Sequence, residues 1–153
     1  MNQLTKQQAL DLLDREPVAH LGMIVDGEPY VCPMSFVVDG EHILFRTMAG
    51  KKLEGIKANP KVCIEVSSFD AESGDWQSVI VQGTARIVDD VSTGQKTIAQ
   101  LFSKYDKVMG SPLSVGSGLM PLADPYVIEV PIERISGMSS GGGFHTRTKP
   151  GRL

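Results

Sequence analysis

The sequence predicts a mainly β fold of the α+β class, a small barrel of about six antiparallel strands with helices on its flanks. Three observations predict it. Short apolar runs of strand length are separated by tight turn dipeptides, Asp26-Gly27 and Asp39-Gly40. Two longer segments, around 5–15 and 90–105, instead repeat their apolar residues at helical spacing. The links between strand-like runs are short, so neighbours pair antiparallel, and a sheet of this size hides its edges by closing or nearly closing.

Each element follows from local chemistry. Thr5 opens the first helix, with Gln8 three residues on at capping-box spacing. Ala9, Leu10, Leu12 and Leu13 supply its apolar face, and Pro17 ends it. Strands are expected over 18–25, 30–38 and 42–47. Pro29 and Pro33 remove ladder donors, which puts the middle strand partly at an edge or bends it. Leu53 and Ile56 give a short helix a buried edge, and Asn59-Pro60 stops it, because the residue before proline is pushed out of helical geometry. The run 61–68 is a strong strand. After a loop at 71–75, the stretch 76–88 is the longest strand pattern, and Gly83 within it marks a bulge or a close backbone approach. In the helix over 90–105, Ile98, Leu101, Phe102 and Tyr105 share one face at i, i+3, i+4 and i+7. Residues 107–124, rich in Gly, Ser, Pro and Met, read as a loop acting as a lid or a partner-contacting arm. The last strand is expected over 126–135, with Pro131 as an edge or bulge mark. One domain covers 1–138, and a Gly-rich, flexible tail covers 139–153.

The totals narrow the function classes. The chain has 153 residues, 41% hydrophobic and 22% charged, as an ordinary globular domain does. Its net charge of -3 argues against nucleic acid as the main partner, though not against a local basic pocket. Cys32 and Cys63 both lie in apolar runs without a metal-type partner nearby, and read as reduced core thiols in a cytoplasm. No basic-then-apolar leader and no run of membrane length appear.

Candidate chemistry centres on one stretch, Phe45-Arg46-Thr47-Met48-Ala49-Gly50-Lys51-Lys52. A strand end with a hydroxyl turns at a glycine into a helix start carrying two ammonium groups. Free N–H groups, the positive end of the helix dipole and the lysines together make a receptor for phosphate. A solvated basic turn would look the same. His20 reads as a core or interface histidine, His42 as exposed, and His145 lies in the tail. No triad, acidic pair or metal-ligand spacing presents itself, so catalytic residues stay unassigned and no metal is expected. Trp76 is a core aromatic or a ring stacked at a ligand site or interface. A chain without its own nucleophile or base can still work through a cofactor, and phosphate is a cofactor's usual handle.

The order GEPYVCPMSFVVDGEHILFRTMAGKKLEGIKANPKVCIEV resembles the pyridoxamine 5′-phosphate oxidase-related flavoproteins, the FMN-binding split barrels. The later WQSVIVQGTARIVDD and PYVIEVPIERISG resemble the second half of their nitroimidazole-resistance-type branch. The resemblance implies a six-stranded antiparallel split β-barrel. It implies that Thr47, Lys51 and Lys52, with Arg46 beside them, grip the FMN phosphate. It implies that Val31, Cys32, Pro33 and Met34 line the isoalloxazine ring. It also implies that Trp76, Gln77 and Ser78 reach the flavin from the second subunit of a two-fold homodimer, with the cofactor at the interface. Two departures matter. Pro29 and Tyr30 stand where true pyridoxamine 5′-phosphate oxidases open the strand with a basic residue, and FHTRTKP in the tail does not reproduce their Arg/His substrate motif. Arg46 stands where nitroimidazole-type members often carry His. The expectation is therefore a cytoplasmic oxidoreductase passing electrons from FMN to a small nitroaromatic or quinone acceptor, without membrane or nucleic-acid partners and without vitamin oxidase activity. FAD, a deazaflavin coenzyme or haem are the alternative cofactors. A deazaflavin-dependent reductase and a non-enzymatic flavin or haem carrier are the rival functions.

Overall fold

A computed structural model describes residues 1–109 and 126–141 of the chain. Among the described residues ten strands and three helices alternate as β1 (Asn2–Gln3), α1 (Lys6–Arg15), β2 (Val18–Val25), β3 (Glu28–Ser35), β4 (Val37–Asp39), β5 (His42–Thr47), α2 (Lys51–Ala58), β6 (Lys61–Phe69), β7 (Trp76–Thr84), β8 (Arg86–Val88), α3 (Val91–Met109), β9 (Tyr126–Pro131) and β10 (Arg134–Ser139). They form two antiparallel sheets, ordered β1-β10-β7-β6-β2-β3 and β4-β5-β9-β8. This is the expected mainly β split barrel with flanking helices. The strand count is higher because three runs that read as single strands each divide between the sheets. The run 30–38 breaks at Phe36, 76–88 breaks at Ala85, and 126–135 breaks after Pro131. Each division carries the chain from one sheet to the other, and the core lies between them.

Sequence patterns explain most of the elements. Thr5 caps α1 through a complete capping box, its hydroxyl accepting from the Gln8 N–H at 3.2 Å while the Gln8 side chain accepts from the Thr5 N–H at 2.8 Å. Leu12 and Leu13 are fully buried beneath it. The proline-bearing β3 occupies a sheet edge, where missing ladder donors cost least. Gly83 lies where any Cβ would strike the Pro131 carbonyl oxygen, so the close backbone approach read from the sequence is present. Phe36, Phe45, Leu21, Ile43, Ile64 and Ile128 are among the largest fully buried side chains.

Three expectations need correction. Cys32 is only partly buried and Cys63 is exposed; both are free, and neither is a fully buried core thiol. Alternation explains this, since Cys63 pairs with Gly22 and shares the outward face of its sheet. His20 is not a core residue: its side chain is half exposed and its Nδ1 lies 3.0 Å from Glu65 Oε2. The tail does not begin loose at 139. Ser139 ends β10, and the Ser140 hydroxyl is anchored to the Trp76 N–H and Asp75. The expected arm over 110–124 and the tail from 142, including His145, lie outside the described residues.

Candidate functional site

The site grows from the end of β5. Ile43 and Phe45 point into the main core, while Leu44 joins a second cluster with Val37 and Val127, against which Leu101 of α3 packs. Arg46 follows Leu44 by two and so lies on that second side, towards α3. Its Nε and Nη2 are buried, and neither has a hydrogen-bond partner among the described residues. Desolvation pulls the guanidinium below its ordinary pKa. A buried cation without partners is costly, which makes Arg46 the most conspicuous polar group of the fold.

Next to Arg46 the chain leaves the strand. Thr47 is buried, and its hydroxyl donates to the Met48 carbonyl at 3.2 Å. Gly50 caps α2 at φ 150°, a region suited to glycine, with no side-chain hydrogen bond to the helix start. The first N–H groups of α2 are therefore left without a capping side chain. A cavity of about 400 Å³ opens here, lined by Tyr30, Arg46, Thr47, Gly50, Lys51 and Lys52. Lys51 is exposed, and its ammonium sits 4.9 Å from the centre of the Tyr30 ring, which holds it at the rim. The four expected phosphate ligands thus share one cavity, with three cations and a helix start converging on it.

Two further cavities adjoin this one. The first, of about 390 Å³, shares Arg46 and Lys52 and is otherwise walled by Met34, Ser35, Ile98, Leu101, Phe102 and Tyr105. The four α3 residues are the helical stripe read from the sequence, yet each is only half-buried. The second, of about 400 Å³, shares Tyr30 and runs along Val31, Gly22 and Cys63 on the outward face of β2, β3 and β6.

The strip 31–34 is divided by strand alternation. Val31 and Pro33 are exposed, Cys32 packs partly on the core, and Met34 is buried at the α3-side cavity. Trp76 and Gln77 line a separate cleft with Arg15 and Phe69. Trp76 is half-buried, and the Gln77 amide oxygen accepts from Arg15. Ser78 donates to Glu65 at 3.1 Å, and Glu65 also pairs with His20. Within one chain these three residues do not join the phosphate cavity. Sequence reading missed the His20–Glu65–Ser78 network, because its members sit on different strands and meet only through register. No cluster of metal ligands occurs among the described residues, and among them no helix is long and apolar enough to cross a membrane.

Comparison with known proteins places this geometry. A family model described as pyridoxamine 5′-phosphate oxidase matches residues 5–139. The chain belongs to the pyridoxamine 5′-phosphate oxidase family. An uncharacterised protein of Rhizobium meliloti is 26% identical over 80 residues, and the chain spans about half of that relative's length, 52%. Among solved structures, an FAD-binding protein of Mesorhizobium loti aligns with a TM-score of 0.71 at 24% identity, covering 90% of this chain and 95% of that one. An FAD-binding protein of Mycobacterium smegmatis aligns at 0.65 and 25% identity, covering 91% and 98%. A proposed 5-nitroimidazole antibiotic resistance protein of Bacteroides thetaiotaomicron aligns at 0.70 and 17% identity, covering 90% and 86%. The membership in the pyridoxamine 5′-phosphate oxidase family and these neighbours agree with the split barrel read from the sequence.

Proposed function

We propose that this chain binds a flavin through its FMN unit and passes electrons from it to a small organic acceptor of the nitroaromatic or quinone type. The observation that carries the reading is the partnerless Arg46 guanidinium beside an uncapped helix start with Lys51 and Lys52. A phosphate satisfies the guanidinium, the free N–H groups of α2 and the lysines together. The FAD-binding neighbour at 25% identity supports a flavin as the bearer of that phosphate. A bound flavin supplies the redox chemistry. The chain's residues bind and orient it. Arg46, Thr47, Lys51 and Lys52 fix the phosphate end, and the Tyr30–Met34 strip borders the ring. Trp76, Gln77 and Ser78 complete the site from a second copy in a homodimer. The strip offers no positioned acid or base, which suits acceptors that need no proton abstraction and disfavours amine oxidation.

The test is direct. Purified protein should carry a flavin absorbance spectrum, and the apoprotein should take up FMN far more tightly than riboflavin, which lacks the phosphate. Equal affinity for the two would remove the α2 cavity from the site. Anaerobically reduced, flavin-loaded protein should be reoxidised by a nitroimidazole or a quinone faster than free flavin is. In air, pyridoxamine 5′-phosphate should yield no multiple-turnover pyridoxal 5′-phosphate and hydrogen peroxide. Steady formation of both would make the protein a vitamin oxidase.

A further inference from the structure

The three adjoining cavities have a shared order. The cationic α2 cavity lies in the middle. Through Tyr30 it continues to the outward strip along β3, and through Arg46 and Lys52 it continues to the α3-side cavity. An FMN unit needs only the middle and one flank: phosphate on the cations, ring along the strip. The other flank is then left open with an apolar, partly aromatic wall of Met34, Leu101, Phe102 and Tyr105, and with two cations at its mouth.

That flank is not an ordinary packing gap. The stripe Ile98, Leu101, Phe102 and Tyr105 has the spacing of a core face, but all four side chains stay half-buried. Tyr105 is fixed by donating its hydroxyl to the Pro17 carbonyl, so it forms a set wall. Arg46 reaches both cavities, and its two buried nitrogens have no partner among the described residues. One phosphate at the α2 start leaves the far side of this planar, five-donor group unused. A diphosphate spans both sides. A flat base carried on its far phosphate then meets Phe102 and the apolar wall, where stacking tolerates any π-face.

We propose that the α3-side cavity is an adenylate subsite, so that the flavin of this chain is the dinucleotide FAD. This rests on the proposed flavin binding and extends it to the second nucleotide. Arg46 and Lys52 hold the diphosphate between the two halves, and Phe102 carries the adenine.

The experiment titrates the apoprotein with FAD, FMN and ADP. FAD should bind at least tenfold more tightly than FMN. Phe102→Ala should weaken FAD and ADP at least fivefold while leaving FMN within twofold. Ile98→Trp, which fills the same cavity without removing a wall, should do likewise and guards against loss of folding in the first variant. Equal affinity for FAD and FMN overturns the proposal. So does an equal loss for both flavins in the two variants, which would put the ring in this cavity. ADP binding is read without any flavin, so the subsite is tested separately from its parent reading. If neither flavin binds but ADP does and both variants abolish it, the flavin reading fails and the adenylate subsite stands. If ADP does not bind, the subsite is refuted whatever the flavins do.

Discussion

Arg46 and Lys104 are the two cations this fold removes from water, and they are treated oppositely. Lys104 is satisfied: it is 9% exposed, donates to the Leu13 carbonyl near the end of α1 at 2.9 Å, and lies 3.6 Å from the centre of the Phe36 ring. Burial lowers its pKa from 10.5 to about 8, against the pull of Asp14 and Glu16. The sign follows from linkage. Between about 8 and 10.5 the unfolded chain holds the proton and the native state does not, so stability should rise with pH across that window and lose this dependence below it. Lys104→Met should flatten the rise in a series of denaturant midpoints. Arg46 is instead left partnerless among the described residues. Arg46→Met should therefore stabilise the apoprotein, on the order of 1 kcal/mol, while weakening flavin binding at least tenfold. Thermal melts of apo and loaded protein check both signs, and a destabilised apoprotein would mean that Arg46 is a structural residue.

At the scale of elements, the sequence was legible where local chemistry decides the backbone. The Thr5–Gln8 box, the Asp26-Gly27 and Asp39-Gly40 turns and the stop at Asn59-Pro60 all sit where their residues put them. Gly83 announced a close approach, and Gly83→Ala should cost about 1–3 kcal/mol by driving a methyl group against Pro131. A denaturant midpoint unchanged by that substitution would show that β7 and β9 yield there at no cost. The strand divisions were not legible. Phe36 and Ala85 are a buried aromatic and a helix former, and neither looks like a breaker. Those corners are set by sheet closure, a tertiary demand. The phosphate cradle was legible as residue types, because Thr47, Gly50, Lys51 and Lys52 are contiguous in sequence. Arg46's isolation was not, since it depends on what packs from α3. Lys51→Ala with Lys52→Ala should weaken FMN at least tenfold, because each charged phosphate contact is worth about 1.5–3 kcal/mol and tenfold is about 1.4. Fluorescence titration reads the change.

The whole molecule presents one face that looks unfinished. By register, Val18, His20 and Gly22 of β2 share the outward side of the six-stranded sheet with Val31 of β3, Glu65 and Phe69 of β6, and Ile80 of β7. Val18, Val31, Phe69 and Ile80 are exposed there, and the His20–Glu65–Ser78 hydrogen bonds sit among them. Apolar side chains around a satisfied polar centre suit a buried interface, where a polar group without partners would be costly. A second copy on this face would also close the outward strip along Val31 and bring its own Trp76–Ser78 segment towards the first copy's ring. Light scattering should therefore give about twice the 16.5 kDa chain mass. Ile80→Asp places a charge where the second copy would bury it, and should shift the protein to monomer without unfolding it, since Ile80 is 46% exposed in the single chain. The same variant should lose flavin when diluted, because half of the ring's enclosure leaves with the partner. Circular dichroism separates dissociation from misfolding. A folded Ile80→Asp monomer that holds flavin as tightly as the wild type would mean that one chain encloses the ring alone, and Trp76, Gln77 and Ser78 would then have no part in binding the flavin.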